Sequence, residues 1–596
     1  MIRGTLLIVA LAGFSWALLV RVFGPFVVTL ANVRVSSSDV RRPAVVALVA
    51  AAMYLAISGR SQVRRDTAAM RRHLTPARAA GLLAALVLIV GVTHNSWTAG
   101  GADSYAYVTQ TDLLLRGTLT DRVPLATHAP WPDASTTFTP FGYRALPHEA
   151  AIAPATGLGL PLLMAGFKLA FGHPGAFFVV PLTGALLVVA TFLVGSRVLS
   201  PAVGLAAAWL TATSPTFLMM FKSQMSDVPA AAFWTLATYA ALGRTTAAAV
   251  AAGAMSALAI LIRPNLAPIA AVLFVWLALN LRERRHWLPA IAFVGAMLPG
   301  PLVVAAINTK LYGSPLSSGY GDIGQLFSLD YVPVTLTRYA MWFAETQTPL
   351  AFAGMILLVV APRSMWPTPA LRANAWLLAG VAAITWVLYS VYQPFGAWWF
   401  LRFLLPSWPA LFIGTGALLV WFGRFRIDAR IRTVAVLALG LYGLVIAWQR
   451  DVFPVEEGER RYATIATFVQ RLTDPQAMIL SSIHTGPTRY YAGRATMRFD
   501  VLDPAWLDRA ADWLAQEGRH PYVLVEDWEM PMFTSRFVGN RLADLGASPV
   551  LAYRAYATSG TVYLFDLLRK DGPTLAPPPI RDPRPRCPLP AAAPEL

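Results

Sequence analysis

Charge is what this chain has least of: only 13% of its 596 residues are Asp, Glu, Lys or Arg, against roughly a quarter in ordinary soluble domains. That scarcity argues against a soluble fold for the chain as a whole. Cysteine is almost missing. Cys587 stands alone, which rules out a disulfide framework and a cysteine-based metal site. Lysine is rare as well, with Lys168, Lys222, Lys310 and Lys570 the only four, so the formal charge of +17 rests on arginine. Those arginines lie between apolar blocks, where they orient a chain in a bilayer, so nucleic acid is not an expected partner. No glycine-rich phosphate loop ending in Lys-Ser or Lys-Thr occurs, leaving ATP-driven transport without support. His148-Glu149 is not followed by a second His at metalloprotease spacing.

What is present in quantity is apolar sequence, 56% of the chain. It gathers into nearly uncharged runs of about 15 to 25 residues, the length that crosses a hydrocarbon core. The runs are 5–30, 43–58, 79–94, 176–199, 201–221, 228–242, 247–262, 266–281, 287–307, 349–361, 375–392, 400–422 and 433–448, about thirteen spans by length. The first has one basic residue, Arg3, ahead of it and no persuasive small-residue cleavage site, so it reads as an anchor and not a removed signal.

Short loops rich in Lys and Arg stay on the cytoplasmic side. Arg60, Arg64, Arg65, Arg71, Arg72 and Arg78 crowd one loop. Every second loop after it is then marked by Arg197 and Arg244, by Arg282, Arg284 and Arg285, by Arg363 and Arg372, or by Arg424, Arg426, Arg430 and Arg432. The loops 95–175, 222–227, 308–348 and 393–399, with everything after Trp448, fall on the other side. Arg34, Arg41 and Arg42 break the pattern on the outer side of the first two runs. The expectation is a multispanning α-helical inner-membrane protein in contact with membrane lipids. Residues 1–78 hold extra spans and a basic cytoplasmic loop, and 79–449 form a membrane core with the extracytoplasmic loop 95–175.

Past Trp448 the composition becomes that of a soluble α/β domain, expected over 450–570 on the extracytoplasmic side. Strand-like runs at 477–480, 522–525, 550–553 and 561–565 alternate with helical spacing at 459–472 and 505–515. Proline and alanine dominate 571–596, which predicts a disordered tail.

The richest segment is Gly100-Gly101-Ala102-Asp103-Ser104-Tyr105-Ala106-Tyr107, followed by Thr111-Asp112-Leu113-Leu114-Leu115-Arg116-Gly117. It resembles the first extracytoplasmic loop of the GT-C glycosyltransferases, in the branch of the protein O-mannosyltransferases and aminoarabinose transferases, where an acidic residue follows an early span and a helix then lies along the membrane. Asp103 matches that position. Ala153-Pro154-Ala155-Thr156-Gly157-Leu158-Gly159-Leu160-Pro161 resembles the start of the helix that closes the loop, and the following stretch 158–170 reads as juxtamembrane. Thr213-Ser214-Pro215 through Met225-Ser226-Asp227-Val228-Pro229 is similar to the segment where an acid opens a helix, which makes Asp227 a second candidate carboxylate. Leu311-Tyr312-Gly313-Ser314-Pro315, Ser318-Gly319-Tyr320-Gly321 and Trp399-Phe400-Leu401-Arg402-Phe403-Leu404-Leu405-Pro406 extend the likeness across most of 79–448. The chain departs from the aminoarabinose branch in having no Glu-Lys pair before Pro154; His148-Glu149 stands there instead.

Each carboxylate has a plain alternative, since an Asp at the start of a helix often only caps it, and Pro229 suits the first turn behind Asp227. Lys222, Arg263, Lys310, Arg338 and Arg402 sit at outer span ends against the charge rule. They either snorkel to headgroups or serve an anion such as a lipid phosphate. The resemblance implies a polyprenyl-phosphate-linked sugar donor, a hydroxyl acceptor on a glycan, lipid or protein, and inversion at the transferred sugar. In that scheme Asp103 is the base, and Arg263, Arg402 and Lys222 hold the donor phosphate. Asp227 helps with the acceptor or, with Asp103, holds a divalent metal ion, and Tyr105, Tyr320, His148 and Glu149 complete the loop candidates. A secondary transporter or lipid flippase is the alternative from another class, and a scaffold without activity is a third.

Overall fold

The computed structural model describes residues 2–30, 33–147, 149–279, 287–545, 549–554 and 560–568. His148, the basic run 282–285 and the proline-rich tail 571–596 lie outside the described residues.

Apolar helices dominate up to Gln449. Among the described residues seven are long and apolar enough to cross a membrane: Arg3–Phe23, Pro76–Thr93, His173–Val198, Trp287–Tyr312, Pro369–Ser390, Trp398–Phe425 and Ala429–Gln449. The pair Leu329–Gln347 and Leu350–Val360, bent by 109°, makes an eighth if it counts as one span. This is fewer than the about thirteen runs of sufficient length in the sequence, and proline accounts for much of the difference. Run 201–221 breaks at Pro215 into Pro201–Thr213 and Pro215–Met220, because a ring without an N–H cannot continue a helical ladder. Run 266–281 yields only Pro268–Ala278 after a 3₁₀ turn at Pro264–Leu266. The first run is shorter than its hydrophobicity suggests: its helix stops at Phe23, before Gly24 at φ +92°, and Phe26–Leu30 pairs antiparallel with Val33–Ser37. Helix Gly159–Phe171, at 13 residues, is too short to cross.

Lipid offers no hydrophobic drive between apolar helices, so close backbone approach through small residues has to hold them. A Cβ on Gly354 would come within 2.4 Å of Thr415 N, and one on Gly195 within 2.7 Å of Gly204. These crossings leave no room even for alanine.

Beyond residue 454 five strands form one sheet in the order Leu551–Tyr553, Val562–Asp566, Pro521–Glu526, Met478–Ser481, Ala495–Arg498. The last three are parallel and the others antiparallel. Helix Val455–Leu472 buries Tyr462, Ala463, Ile465, Ala466, Phe468 and Val469 on one stripe, the amphipathic spacing of a helix that covers a sheet.

This C-terminal sheet sits directly on the loop that carries Asp103. Tyr491 Oη accepts from Ala99 N at 2.7 Å, and Thr485 Oγ1 accepts from Phe141 N at 3.0 Å. Arg489 pairs with Asp121 at 2.8 Å, Tyr490 donates to Asp112 at 3.1 Å, and Trp131 meets Trp513 edge-on at 5.2 Å.

Lys222 fastens the membrane helices to this unit and corrects its assignment as a donor ligand. Its ammonium is fully buried and donates to Val452 O at 2.9 Å, Phe453 O at 2.8 Å and Glu456 Oε2 at 3.3 Å. A lysine has three donors, and all three are engaged, so none remains for a phosphate. Breaking a buried pair from one side strands the other charge at a cost of about 3–5 kcal/mol. Lys222→Met is therefore expected to lower the unfolding temperature in detergent, with Glu456→Gln in the same chain restoring part of the loss. A single variant as stable as the parent would remove the fastening role.

Candidate active site

Two carboxylates and two guanidiniums meet where the first loop, the helix end at residue 262 and the segment Trp398–Ser407 converge. Asp103 is the first residue of helix Asp103–Leu115, after Gly101 at φ +55°. The capping position belongs to Ala102, and the Asp103 carboxylate turns away to accept from Arg402 Nη2 at 3.1 Å. Asp227 repeats the arrangement, opening helix Asp227–Ala241 behind Ser226 and accepting from Arg263 Nη1. In neither case does the side chain cap its helix, so the plain alternative fails for both.

Local sequence explains how the arginines are aimed. Arg263 is followed by Pro264, and a residue before proline is driven out of the helical region; it adopts φ −141°, ψ 91° and ends helix Thr246–Ile262 with its side chain thrown sideways. Its guanidinium lies 4.9 Å over Phe403 and 6.0 Å from the Tyr389 ring. Arg402 lies against both Phe400 and Phe403, at 5.4 Å and 5.2 Å from their rings. Stacking on ring faces attracts a cation and holds its plane. Tyr389 lies parallel to Phe403 at 5.1 Å and accepts from Asn265 Nδ2 at 2.9 Å, which steadies this aromatic bed.

Arg402 also reaches Asp227 at 4.0 Å, so one guanidinium bridges both acids. Exposure separates the two. The Asp103 side chain keeps 29% of its surface open and that of Asp227 only 2%. Asp103 can meet a substrate; Asp227 is confined to holding Arg263 and Arg402. The Nε of Arg402 is buried with no partner among the described residues, while its Nη2 is engaged by Asp103. A buried donor without an acceptor is costly, and an anion would relieve that cost.

Tyr320, on the turn between Ser317–Ser318 and Gly321–Asp322, is half exposed, with its phenol in electrostatic reach of Asp103, Arg263 and Arg402. The other loop candidates are not part of the cluster. Tyr105 is buried against Tyr143, Tyr490 and Gly486 and joins the loop to the C-terminal sheet, which corrects its assignment as a substrate contact. Its ring points to the opposite side of the helix from the one Asp103 uses. Glu149 is exposed and pairs with no cation among the described residues, and His148 lies outside them. Of the five outer cations only Arg263 and Arg402 converge: Arg338 donates to Phe395 O at 2.7 Å, and Lys310 is exposed.

Among the described residues no group of three or more His, Cys, Asp or Glu is placed to hold a metal. Arg402 lies between Asp103 and Asp227.

Residues that sequence reasoning missed complete the surroundings. Tyr107, one turn after Asp103, is buried within reach of Asp103, Arg263 and Asp227. Glu459, from the first turns of helix Val455–Leu472, brings its carboxylate against Gly100. Burial raises its pKa, the charge of Arg461 opposes that, and the charge of Asp103 adds to it. No local signal marks Glu459, because only the docking of the C-terminal sheet brings it to the loop.

Residues 159–307 match the family model described as dolichyl-phosphate-mannose-protein mannosyltransferase. No curated protein matches the chain. Among solved structures, ArnT from Cupriavidus metallidurans bound to undecaprenyl phosphate is similar over 83% of this chain and 98% of its own, at 15% identity and a TM-score of 0.51. Archaeal oligosaccharyltransferase AglB from Archaeoglobus fulgidus, in complex with an inhibitory peptide and a dolichol-phosphate, is similar over 82% of this chain and 74% of its own, at 13% identity and a TM-score of 0.50. The chain shares the fold of these two structures, and residues 159–307 carry the family match. The resemblance borne by the Asp103 loop is thus upheld at the level of fold.

Proposed function

We propose that this protein is a glycosyltransferase that moves a sugar from a polyprenyl-phosphate carrier to a hydroxyl acceptor, with inversion, on the extracytoplasmic face of the inner membrane. The observation that carries the reading is one partly exposed carboxylate, Asp103, held 3.1 Å from a guanidinium that lies over aromatic rings and has an unpartnered buried donor. The acceptor oxygen attacks the anomeric carbon from the face opposite the phosphate, and its proton passes to Asp103. As that bond forms, the bond from anomeric carbon to phosphate oxygen breaks, and the electron pair stays on the phosphate. Arg402 and Arg263 meet the growing negative charge, and donors already aimed at such charge are worth several kcal/mol in a site shielded from water. Asp103 returns its proton to solvent, leaving a glycoside and polyprenyl phosphate. A lipid-phosphate ligand, a ready base and fixed cations fit transfer better than passage of a solute, so the transporter or flippase reading is not favoured.

The test is reconstitution of the purified chain in liposomes with polyprenyl-phosphate-linked sugars and a panel of hydroxyl acceptors. Acceptor-dependent release of polyprenyl phosphate, with inverted configuration in the glycoside, is the expected result. Retention of configuration would refute the single-displacement scheme, and no release with any donor would refute the transferase reading.

A further inference from the structure

We infer that Glu459, contributed by the C-terminal unit, binds the acceptor beside Asp103 and selects a neutral, hydroxyl-rich acceptor over an anionic one; this rests on the transferase reading above.

Asp103 has two kinds of neighbour. Its carboxylate is held by Arg402, which with Arg263 lies over an aromatic bed and suits a phosphate. On the side of the C-terminal unit the helix Val455–Leu472 lies over Gly100 and Gly101, with Tyr462 and Glu459 against the loop backbone. A Cβ on Gly100 would come 2.4 Å from Glu459 Oε2 and 2.7 Å from the Tyr462 ring. Glycine at 100 is therefore what lets this carboxylate approach the loop three residues before Asp103.

Glu459 is also unlike the other acids here. Asp103 and Asp227 are each held by an arginine. Glu526 is held by Arg461 at 3.1 Å, His484 at 2.9 Å and the Trp528 indole at 2.7 Å. Arg461, whose charge acts on Glu459, gives its Nη1 to Gly458 O, its Nε to Glu526, and its Nη2 to Glu526 and Tyr462. The Glu459 side chain makes no hydrogen bond to protein among the described residues, although the residue is partly buried. It is a partly buried acceptor group with no protein donor among the described residues, in electrostatic reach of the base.

An incoming acceptor places one hydroxyl at Asp103 for proton removal. A second hydroxyl on the same molecule then donates to Glu459. Two contacts orient a small polyol where one does not, and orientation is a large part of catalysis. Two carboxylates on that side repel a phosphate or carboxylate on the acceptor, more strongly than in water because the site is partly desolvated. The chemical class that fits is a neutral sugar or other polyol.

The experiment uses the full chain in liposomes with a polyprenyl-phosphate-linked sugar. Neutral octyl glycosides serve as acceptors against octyl glucuronide, which adds one carboxylate. Wild type is expected to use the neutral acceptors at least roughly tenfold better in kcat/KM. Glu459→Gln is expected to raise the KM for neutral acceptors roughly tenfold, leave the donor KM within about twofold and weaken discrimination against the glucuronide. Glu459→Asp should recover part of the acceptor affinity, and Gly100→Ala, which displaces the carboxylate without removing it, should mimic Glu459→Gln. An unchanged acceptor KM in Glu459→Gln overturns the assignment, as does an equal rise in donor and acceptor KM. A wild type that hydrolyses donor but glycosylates no neutral glycoside overturns it too. A wild type that consumes no lipid-linked donor at all overturns the transferase reading instead.

Discussion

Asp103→Asn is expected to lower sugar transfer by about 10²–10⁴-fold, the range for loss of a general base, with the protein still made and inserted. Asn keeps the shape of the side chain and an oxygen for Arg402 Nη2, now 3.1 Å from the carboxylate, but it cannot take a proton from the acceptor. The loss should fall on kcat, because the base acts as the bond forms and not when substrates bind. Donor binding, measured by protection from thermal unfolding, should persist. Asp227→Asn provides the contrast. It removes the enclosed partner of Arg263 and should disturb donor binding and stability together, since a cation without its carboxylate in a buried site is costly. Full activity of Asp103→Asn would falsify the base assignment and favour a scaffold.

Arg402→Gln is expected to reduce transfer by about 10²–10³-fold, comparable to removing one preorganised donor at a developing anion. It should raise the donor KM more than the acceptor KM. Two features of Arg402 make the prediction specific. Its guanidinium rests against both Phe400 and Phe403, and its Nε has no partner among the described residues. Arg402→Lys keeps the charge but loses the planar fork and the stacking, so it should fall between wild type and Arg402→Gln. The Arg263 guanidinium also lies over Phe403, so Arg263→Gln should act in the same direction. Because both arginines also neutralise Asp227, unfolding temperatures must be measured with the kinetics. If donor and acceptor KM rise equally in a stable Arg402→Gln protein, the guanidinium does not serve the phosphate.

The sequence was informative wherever a residue's role depends on its near neighbours. Pro264 aims Arg263 by a restriction that acts across one peptide bond, and Asp103 and Asp227 open helices that follow them directly. The spacing of apolar residues in helix Val455–Leu472 and the strand-forming runs at Pro521–Glu526 and Val562–Asp566 are local in the same way. Strand Ala495–Arg498, which joins the sheet edge in parallel with Met478–Ser481, has no such pattern and went unread. Span counting suffered from the same dependence. Hydrophobicity measures what a segment would bury, while Pro215, Gly24 and the bend between Gln347 and Leu350 decide how far a helix runs.

Composition and pattern alone determined that this chain is a bundle of apolar helices with an acid-bearing loop, because scarcity of charge and length of apolar run are sums over residues and need no fold to evaluate. Only the tertiary structure decided which charges are partners. Lys222, Arg263 and Arg402 look alike in sequence, each a cation at the outer end of a span. Folding gives Lys222 three acceptors in the C-terminal unit and leaves Arg402 bridging two acids with a donor free. The same docking carries Glu459 across more than three hundred residues of chain to the side of Gly100. Electrostatic roles are set by distance and burial, and both depend on where remote segments come to rest.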